Sequence, residues 1–392
     1  MRRLSVLVIH NRYCSPGGED AVVRAETELL RRAGHRVVQF TRINGSIARF
    51  SPWRKAALFA GTTWNREVYR DLRRLIREEK PDVAHCHNLV PLISPSAYYA
   101  CQDAGVPVIQ TLHNYRLLCP KGTLYDDSRS CHDCLGSLMH GVWRGCYRGS
   151  RLQTAALAGM LAIHRRLGTW QHCVGAYIAL SRFSRSQLLA AGFPLAKVHV
   201  KPNFLSHEPK PRPGRGEYAV FVGRLSPEKG IMEMLKVWQH LTHIPLKVIG
   251  DGPLLAEAVE FVEHSRCNHI QFLGARSPEQ VLQHLRGALF LVFPSRWPEP
   301  FGLVLLEAAG CGVPALAART GGVPEIVTDG ETGLLFDPED AGELATKACW
   351  AWAHPAEMES LGAGARQSYL RNFTAERNYQ QLMNVYSSLL PN

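Results

Sequence analysis

The sequence predicts an α/β protein of two doubly wound, Rossmann-like domains facing each other across a cleft. Three observations carry that reading. Short apolar runs alternate with helix-length segments along most of the chain, and most runs end in a glycine-bearing loop. A length of 392 residues exceeds one ordinary core and favours two. Residues 201–216 hold Pro202, Pro209, Pro211 and Pro213 with two glycines, the composition of a linker. The expected domains are therefore 1–200 and 217–374, with a last helix in 375–392 crossing back to pack on the first.

Taken in order, Leu4 to Ile9 reads as a buried strand, followed by a loop with Pro16, Gly17 and Gly18 and a helix from about Glu19 to Ala33 that Gly34 ends. Arg36 to Phe40 is the next strand, which places the glycine loop at the carboxyl end of the first. Ligands bind there in open parallel sheets. From Ser46 to Lys80 the chain is rich in arginine and carries Trp53, Phe59 and Trp64. Such a stretch suits an anionic membrane face or an acceptor groove, and a solvated helix pair is the plainer reading. Asp82 to His87 and Val106 to Leu112 are two further strands, and His113 and Asn114 fall at the end of the second, on the same edge as the glycine loop.

Cys119, Cys131, Cys134 and Cys146 come next, spaced by eleven, two and eleven residues. A Cys-x-x-Cys pair flanked in this way can supply four thiolates to a tetrahedral zinc, and a metal clip would anchor an otherwise long loop at 119–146. Free thiols, an iron–sulfur cluster or disulfides are the alternatives. Ala176 to Leu180 is a strand with Ser181 as helix cap.

After the linker the pattern restarts. Tyr218 to Val222 is a strand, 223–230 reads GRLSPEKG, and Ile231 to Leu241 is a helix. Leu246 to Ile249, Ile270 to Leu273, Leu289 to Phe293 and Pro314 to Ala317 follow as strands. Arg224 and Lys229 flank the first turn, where a bidentate guanidinium and a point-charge ammonium could neutralise a diphosphate. Ser295 to Ala308 reads SRWPEPFGLVLLEA. Pro298 and Pro300 keep Glu299 on a loop before a helix starting near Phe301, and a 100° repeat aims Glu299 and Glu307 into one pocket. The N–H groups of Phe301, Gly302 and Leu303 would be that helix's unpaired donors, so a phosphate-bearing polyhydroxyl ligand suits the site.

Composition narrows the class. With 46% hydrophobic and 20% charged residues the chain is globular, and a net charge of +11 favours anionic partners: nucleotides, anionic lipid or nucleic acid. The opening MRRLSVLVIHN stops too soon for a signal-peptide core, and no apolar run reaches membrane-span length. The expectation is a cytoplasmic protein that touches a membrane from the side. Eleven cysteines without an export signal point to thiols or metal over a disulfide framework.

These motifs together (Gly17-Gly18, His113, GRLSPEKG, EPFGLVLLE at 299–307 and GGVPEIVTDGETG at 321–333) resemble the retaining glycosyltransferases of family 4, with GT-B architecture, over essentially the whole chain. The resemblance implies an enzyme moving a sugar from a nucleotide diphosphate sugar, with UDP or GDP as carrier, to an acceptor hydroxyl. It implies that Arg224 and Lys229 bind the donor diphosphate, that Glu307 takes the ribose hydroxyls, and that Glu299 with the amides of Phe301, Gly302 and Leu303 holds the sugar. Gly17 and Gly18 would lie near the diphosphate and acceptor, and His113 near the transferred sugar. The family often has His-Asp where this chain has His113-Asn114. No catalytic metal is implied, which would leave zinc to the cysteine loop. The early segments look like the subgroup building bacterial envelope and exopolysaccharides, whose acceptor would be a lipid-linked saccharide at the cytoplasmic membrane face. A nucleotide-sugar epimerase of the same fold, and a basic zinc-containing nucleic-acid-binding protein, are the rival readings.

Overall fold

The structure is a computed structural model that describes residues 2–13, 17–49 and 51–390. Pro16 of the first glycine loop lies outside the described residues. The chain divides into two units: unit 1 comprises 1–126, 131–202 and 375–392, and unit 2 comprises 127–130 and 203–374.

Each unit is built on one six-stranded parallel sheet. Unit 1 holds β1 (Ser5–Arg12), β2 (Arg36–Ile43), β3 (Val83–Cys86), β4 (Val108–Leu112), β5 (Ala176–Ala179) and β6 (Val198–Val200), in the order β2-β1-β3-β4-β5-β6. Unit 2 holds β7 (Ala219–Val222), β8 (Leu246–Ile249), β9 (Ile270–Gly274), β10 (Phe290–Phe293), β11 (Ala315–Ala318) and β12 (Gly333–Phe336), in the order β12-β11-β10-β7-β8-β9. Parallel strands need crossovers that cover both sheet faces, so central strands bury every residue. That holds for β3, β4, β5, β10 and β11. Two strands fall outside the expected runs. β6 and β12 are edge strands of three and four residues, too short for a hydrophobic period to register.

The unit 1 core joins Leu4, Val6, Val83, Ile109 and Ile178 to Leu382, Met383 and Tyr386 of the helix Ala375–Ser387. The unit 2 core gathers Phe221, Leu235, Trp238, Val248 and Val292. The basic stretch forms the helices Pro52–Thr63 and Arg66–Glu79; the second is capped by Asn65 Oδ1, which accepts from the Val68 amide at 3.1 Å, and buries Val68, Leu72 and Ile76.

Strand order locates the crevices. It reverses between β1 and β3 in unit 1 and between β7 and β10 in unit 2, where crossovers leave in opposite directions. Ligands bind at the carboxyl ends of strands at such switch points.

Candidate functional site

In unit 2 the switch point is occupied by Lys229, Ser295 and Glu299. Loop 223–230 leaves β7 stitched to the neighbouring loop by Gly223 N to Ile249 O (3.0 Å), Leu225 N to Asp251 O (3.0 Å) and Leu254 N to Leu225 O (3.0 Å). A short 3₁₀ turn, Pro227–Lys229, then ends at Gly230 with φ +68°. A side chain at Gly230 would overlap the Pro294 carbonyl oxygen just beyond β10, so glycine is required for this approach. The turn thereby carries Lys229 to Glu299: its ammonium is ion-paired to Oε1, and Ser295 Oγ donates to that oxygen at 2.8 Å. Glu299 is 3% exposed.

The GGVPE motif fixes the acid from behind. Gly322 N donates to Glu299 O at 2.7 Å, and Thr320 Oγ1 to Trp297 O at 3.0 Å. Gly321 has φ +55°, and a Cβ there would overlap the backbone of Glu299 and Pro298. Gly321→Ala is expected to cost about 1–3 kcal/mol and to loosen Glu299. Urea unfolding checks the cost, and a loss of donor affinity larger than the loss of stability checks the displacement.

The acid-bearing helix differs from the expected one. It spans Leu303–Gly310, because Gly302 sits at φ +103° as the residue before the first turn. Glu307 is therefore about one turn from the start. The N–H groups of Phe301, Gly302 and Leu303 make no hydrogen bond among the described residues, which leaves them as donors. The Phe301 side chain is core, edge-on to Phe373 at 6.1 Å. The Glu307 carboxyl has no hydrogen-bond or ion-pair partner among the described residues, and burial pushes it up to about 7. Arg224 is exposed and likewise has no side-chain partner among them. Lys229 is one arm of an ion pair with Glu299.

In unit 1 the switch point is lined with histidines. His10 lies near the end of β1, His85 in β3 with His87 just beyond it, and His113 follows β4. His87 stacks between His85 (centroids 4.3 Å) and His113 (5.3 Å), with its Nδ1 2.9 Å from His113 Nε2. His85 is held by Tyr386 Oη at 2.8 Å and Thr111 Oγ1 at 2.7 Å, and His10 Nε2 lies 2.8 Å from Asp20 Oδ1. Buried Glu26 pairs with buried Lys201 at 3.2 Å and lies 4.0 Å from His87 Nε2. Desolvation lowers His85 to about 4 and holds His87 and His113 well below the ordinary imidazole value, so the column is neutral near pH 7. Of the two tautomers, His87 N–H toward Glu26 is the favoured one, because a bare lone pair facing a carboxylate is repulsive. His113 Nε2–H then donates to His87 Nδ1, leaving His113 Nδ1 as an acceptor.

His113 lines a pocket with Glu19, His87, Arg116, Leu117 and Trp170. Burial pushes Glu19 up to about 8. Asn114 Oδ1 accepts from the Arg116 amide at 2.9 Å and shapes the turn. Gly17 precedes the helix Gly18–Arg32, and a Cβ at Gly17 meets nothing within 4 Å. Glu26, His85 and His87 offer ligand atoms within 4.8 Å of one another. Both nitrogens of His85 are engaged and Lys201 neutralises Glu26, which fits a hydrogen-bonded column better than a metal centre. Cys119, Cys131, Cys134 and Cys146 line a separate cavity in unit 1.

Sequence reasoning named His113 but missed His10, Glu26, His87, Lys201 and Ser295. The strand-end rule that picked out His113 applies equally to His10 and to the His-Cys-His run at 85–87.

Residues 16–208 match the family described as Glycosyltransferase Family 4, and residues 204–368 match Glycosyl transferases group 1. An uncharacterized glycosyltransferase of Methanocaldococcus jannaschii is 32% identical over 176 residues, 45% of this chain and 49% of that protein. A GDP-mannose-dependent alpha-(1-6)-phosphatidylinositol monomannoside mannosyltransferase of Mycolicibacterium smegmatis is 29% identical over 218 residues, 50% of this chain and 57% of that protein. The match thus spans about half the length of these curated relatives. The crystal structure of Anabaena Alr3699/HepE in complex with UDP has a TM-score of 0.69 at 19% identity, covering 98% of this chain and 100% of that one. That likeness extends the shared GT-B fold over nearly the full length.

Proposed function

The chain belongs to the glycosyltransferases of family 4 and group 1, and from that premise we propose that it moves a sugar from a nucleotide diphosphate sugar to an acceptor hydroxyl, with the anomeric configuration retained. The observation that carries this reading is the Lys229–Glu299–Ser295 cluster at the unit 2 switch point, beside a helix start with open N–H donors.

The chemistry follows from charge. When the anomeric C–O bond to the diphosphate breaks, the sugar gains positive and the phosphate negative charge. Arg224 and Lys229 neutralise the phosphate. Glu299, already oriented by Ser295 and Lys229, accepts hydroxyls of the sugar, the amides of Phe301 to Leu303 donate to it, and Glu307 accepts the ribose hydroxyls. The acceptor oxygen forms its bond to the same face as the leaving group, and its proton passes to the departing phosphate oxygen. His113, neutral with Nδ1 free to accept, orients a hydroxyl of the transferred sugar. Gly17 and Gly18 leave room for the diphosphate and acceptor.

The acceptor in this proposal is a lipid-linked saccharide of envelope polysaccharide synthesis, met at the cytoplasmic membrane face. Trp53, 86% exposed in the basic stretch, and the phosphatidylinositol acceptor in the name of the mycobacterial relative support it. No described helix is long and apolar enough to cross a membrane, so contact would be from the side.

Thermal melting with UDP, GDP or ADP tests the donor half. At a hundredfold excess over Kd, one nucleotide should add about 2.7 kcal/mol of stability, and Glu307→Ala should remove that response. If no nucleotide shifts the midpoint, the reading fails.

A further inference from the structure

The 38 residues between β4 and the helix Arg151–Arg166 contain only two short helices, Asp133–Gly136 and Met139–Arg144. So long a connection ordinarily needs an anchor. Three of its cysteines sit at backbone-bonded turns. Cys119 closes a turn through its N–H to Tyr115 O (2.9 Å), Cys131 is held to Leu124 O (2.8 Å), and Cys146 N–H donates to Gly141 O (3.1 Å) after Gly145, which takes a left-handed φ of +65°. Cys134 lies in the first of the short helices. All four thiols are free and line one cavity together with Lys121, Asp133 and Arg144.

The surroundings suit sulfur ligands. The Cys119 sulfur takes backbone N–H donors from Lys121, Gly122 and Leu124, and shares a hydrogen bond with Cys134. Gly141 N–H donates to Cys134, and a Cβ on Gly141 would stand only 3.0 Å from that sulfur. Arg144 Nη1 lies 3.8 Å from Cys131 Sγ. Amide donors aimed at two of the sulfurs, with Arg144 beside a third, make a polar pocket able to accept charge on sulfur.

We infer that Cys119, Cys131, Cys134 and Cys146 form a structural zinc site that clips this loop of unit 1. Cys119 and Cys134 are already in sulfur contact; no three of the four sulfurs lie within 4.8 Å of one another, so the half-buried Cys131 and Cys146 would have to move inward to complete the sphere. Four thiolates complete a tetrahedral sphere with no open position, so the metal stabilises and takes no part in transfer. Lys121 and Arg144, the latter also paired with Asp133 at 2.8 Å, are the cations beside the cavity.

The test uses the full chain, purified through a tag that binds no metal. Elemental analysis should give one zinc per chain, with zinc–sulfur distances of about 2.3 Å by X-ray absorption. Chelation should release the zinc, expose four more thiols to a thiol reagent and lower Tm by about 5 °C or more, with recovery on adding zinc. Cobalt substitution should give the visible bands of tetrahedral sulfur ligation. Cys134→Ser should lose the metal. If that variant does not fold, Cys131→His should keep a metal with shifted cobalt bands, which a packing role for Cys131 would not produce. Four reactive thiols with no bound metal after expression in added zinc, an intact mass four hydrogens light from two disulfides, or the absorbance of an iron–sulfur cluster would each overturn the site. None of these outcomes depends on nucleotide binding, so this inference and the transferase reading fail separately.

Discussion

Replacing Lys229 with alanine is expected to cut transfer by about 10²–10³-fold and, in the absence of any substrate, to destabilise the protein by about 2–4 kcal/mol. The two effects share one cause. The Glu299 side chain is 4% exposed, and among the described residues its charge is met only by Lys229, with Ser295 adding a single hydrogen bond. Without the ammonium, a buried carboxylate stands nearly alone, and the diphosphate loses a cation as well. Lys229 is itself 23% exposed, which places the cost at the low end of the range for buried pairs. Glu299→Gln should behave differently: Lys229 can turn to solvent, so stability changes by about 1 kcal/mol or less while transfer still collapses. Urea denaturation and kcat/KM of both variants distinguish the cases. Equal stability of Lys229→Ala and the parent would sink the ion pair.

Donor binding should weaken steeply on the acid side of neutrality, by about tenfold between pH 8 and pH 6. Burial raises the Glu307 carboxyl to about 7, and ribose hydroxyls donate to the ionised form. Below that value the group must first lose a proton to bind, and binding at pH 7 should release a fraction of a proton. The unliganded protein shows the opposite sign. A carboxyl raised in the folded state contributes full stability below its unfolded value near 4.5 and loses it as pH climbs through 7, by about 3 kcal/mol at most. Glu307→Gln should therefore flatten both curves and leave the free protein more stable at pH 8. Calorimetry in two buffers of different ionisation enthalpy measures the proton. A pH-independent Kd across this window would remove Glu307 from the ribose site.

Much of this was readable from the chain because the signals are local. β8 spans the expected residues, and the first helix begins within a residue of expectation, because apolar runs in a parallel sheet are continuous and their ends carry glycines. The acid pair and GRLSPEKG were also visible as strand-end chemistry. The start of the acid helix was not, because Gly302 at φ +103° delays it and a helical repeat carries no record of that dihedral. Nor was the pairing of Lys229 with Glu299, seventy positions apart, or that of Glu26 with Lys201. Such partners are set by which strands neighbour each other at the reversal of strand order, and that order is a property of the whole sheet.

The helix Ala375–Ser387 has a bearing on how the molecule is made. Tyr386 holds His85, while Asn378 accepts from Lys201 and donates to Pro202 O at 2.6 Å. The polar floor beneath His87 and His113 is thus supplied from the far end of the polypeptide. A ribosome adding about 5–20 residues per second takes on the order of ten seconds to translate 203–374. Throughout that interval an otherwise complete unit 1 exposes the apolar seat of its missing helix, and Glu26 and Lys201 stand half-solvated. Unit 2, encoded later, can finish first. The nascent protein therefore passes through a stage in which its donor half is built and its histidine half is still waiting, the stage at which a chaperone would have most to shield.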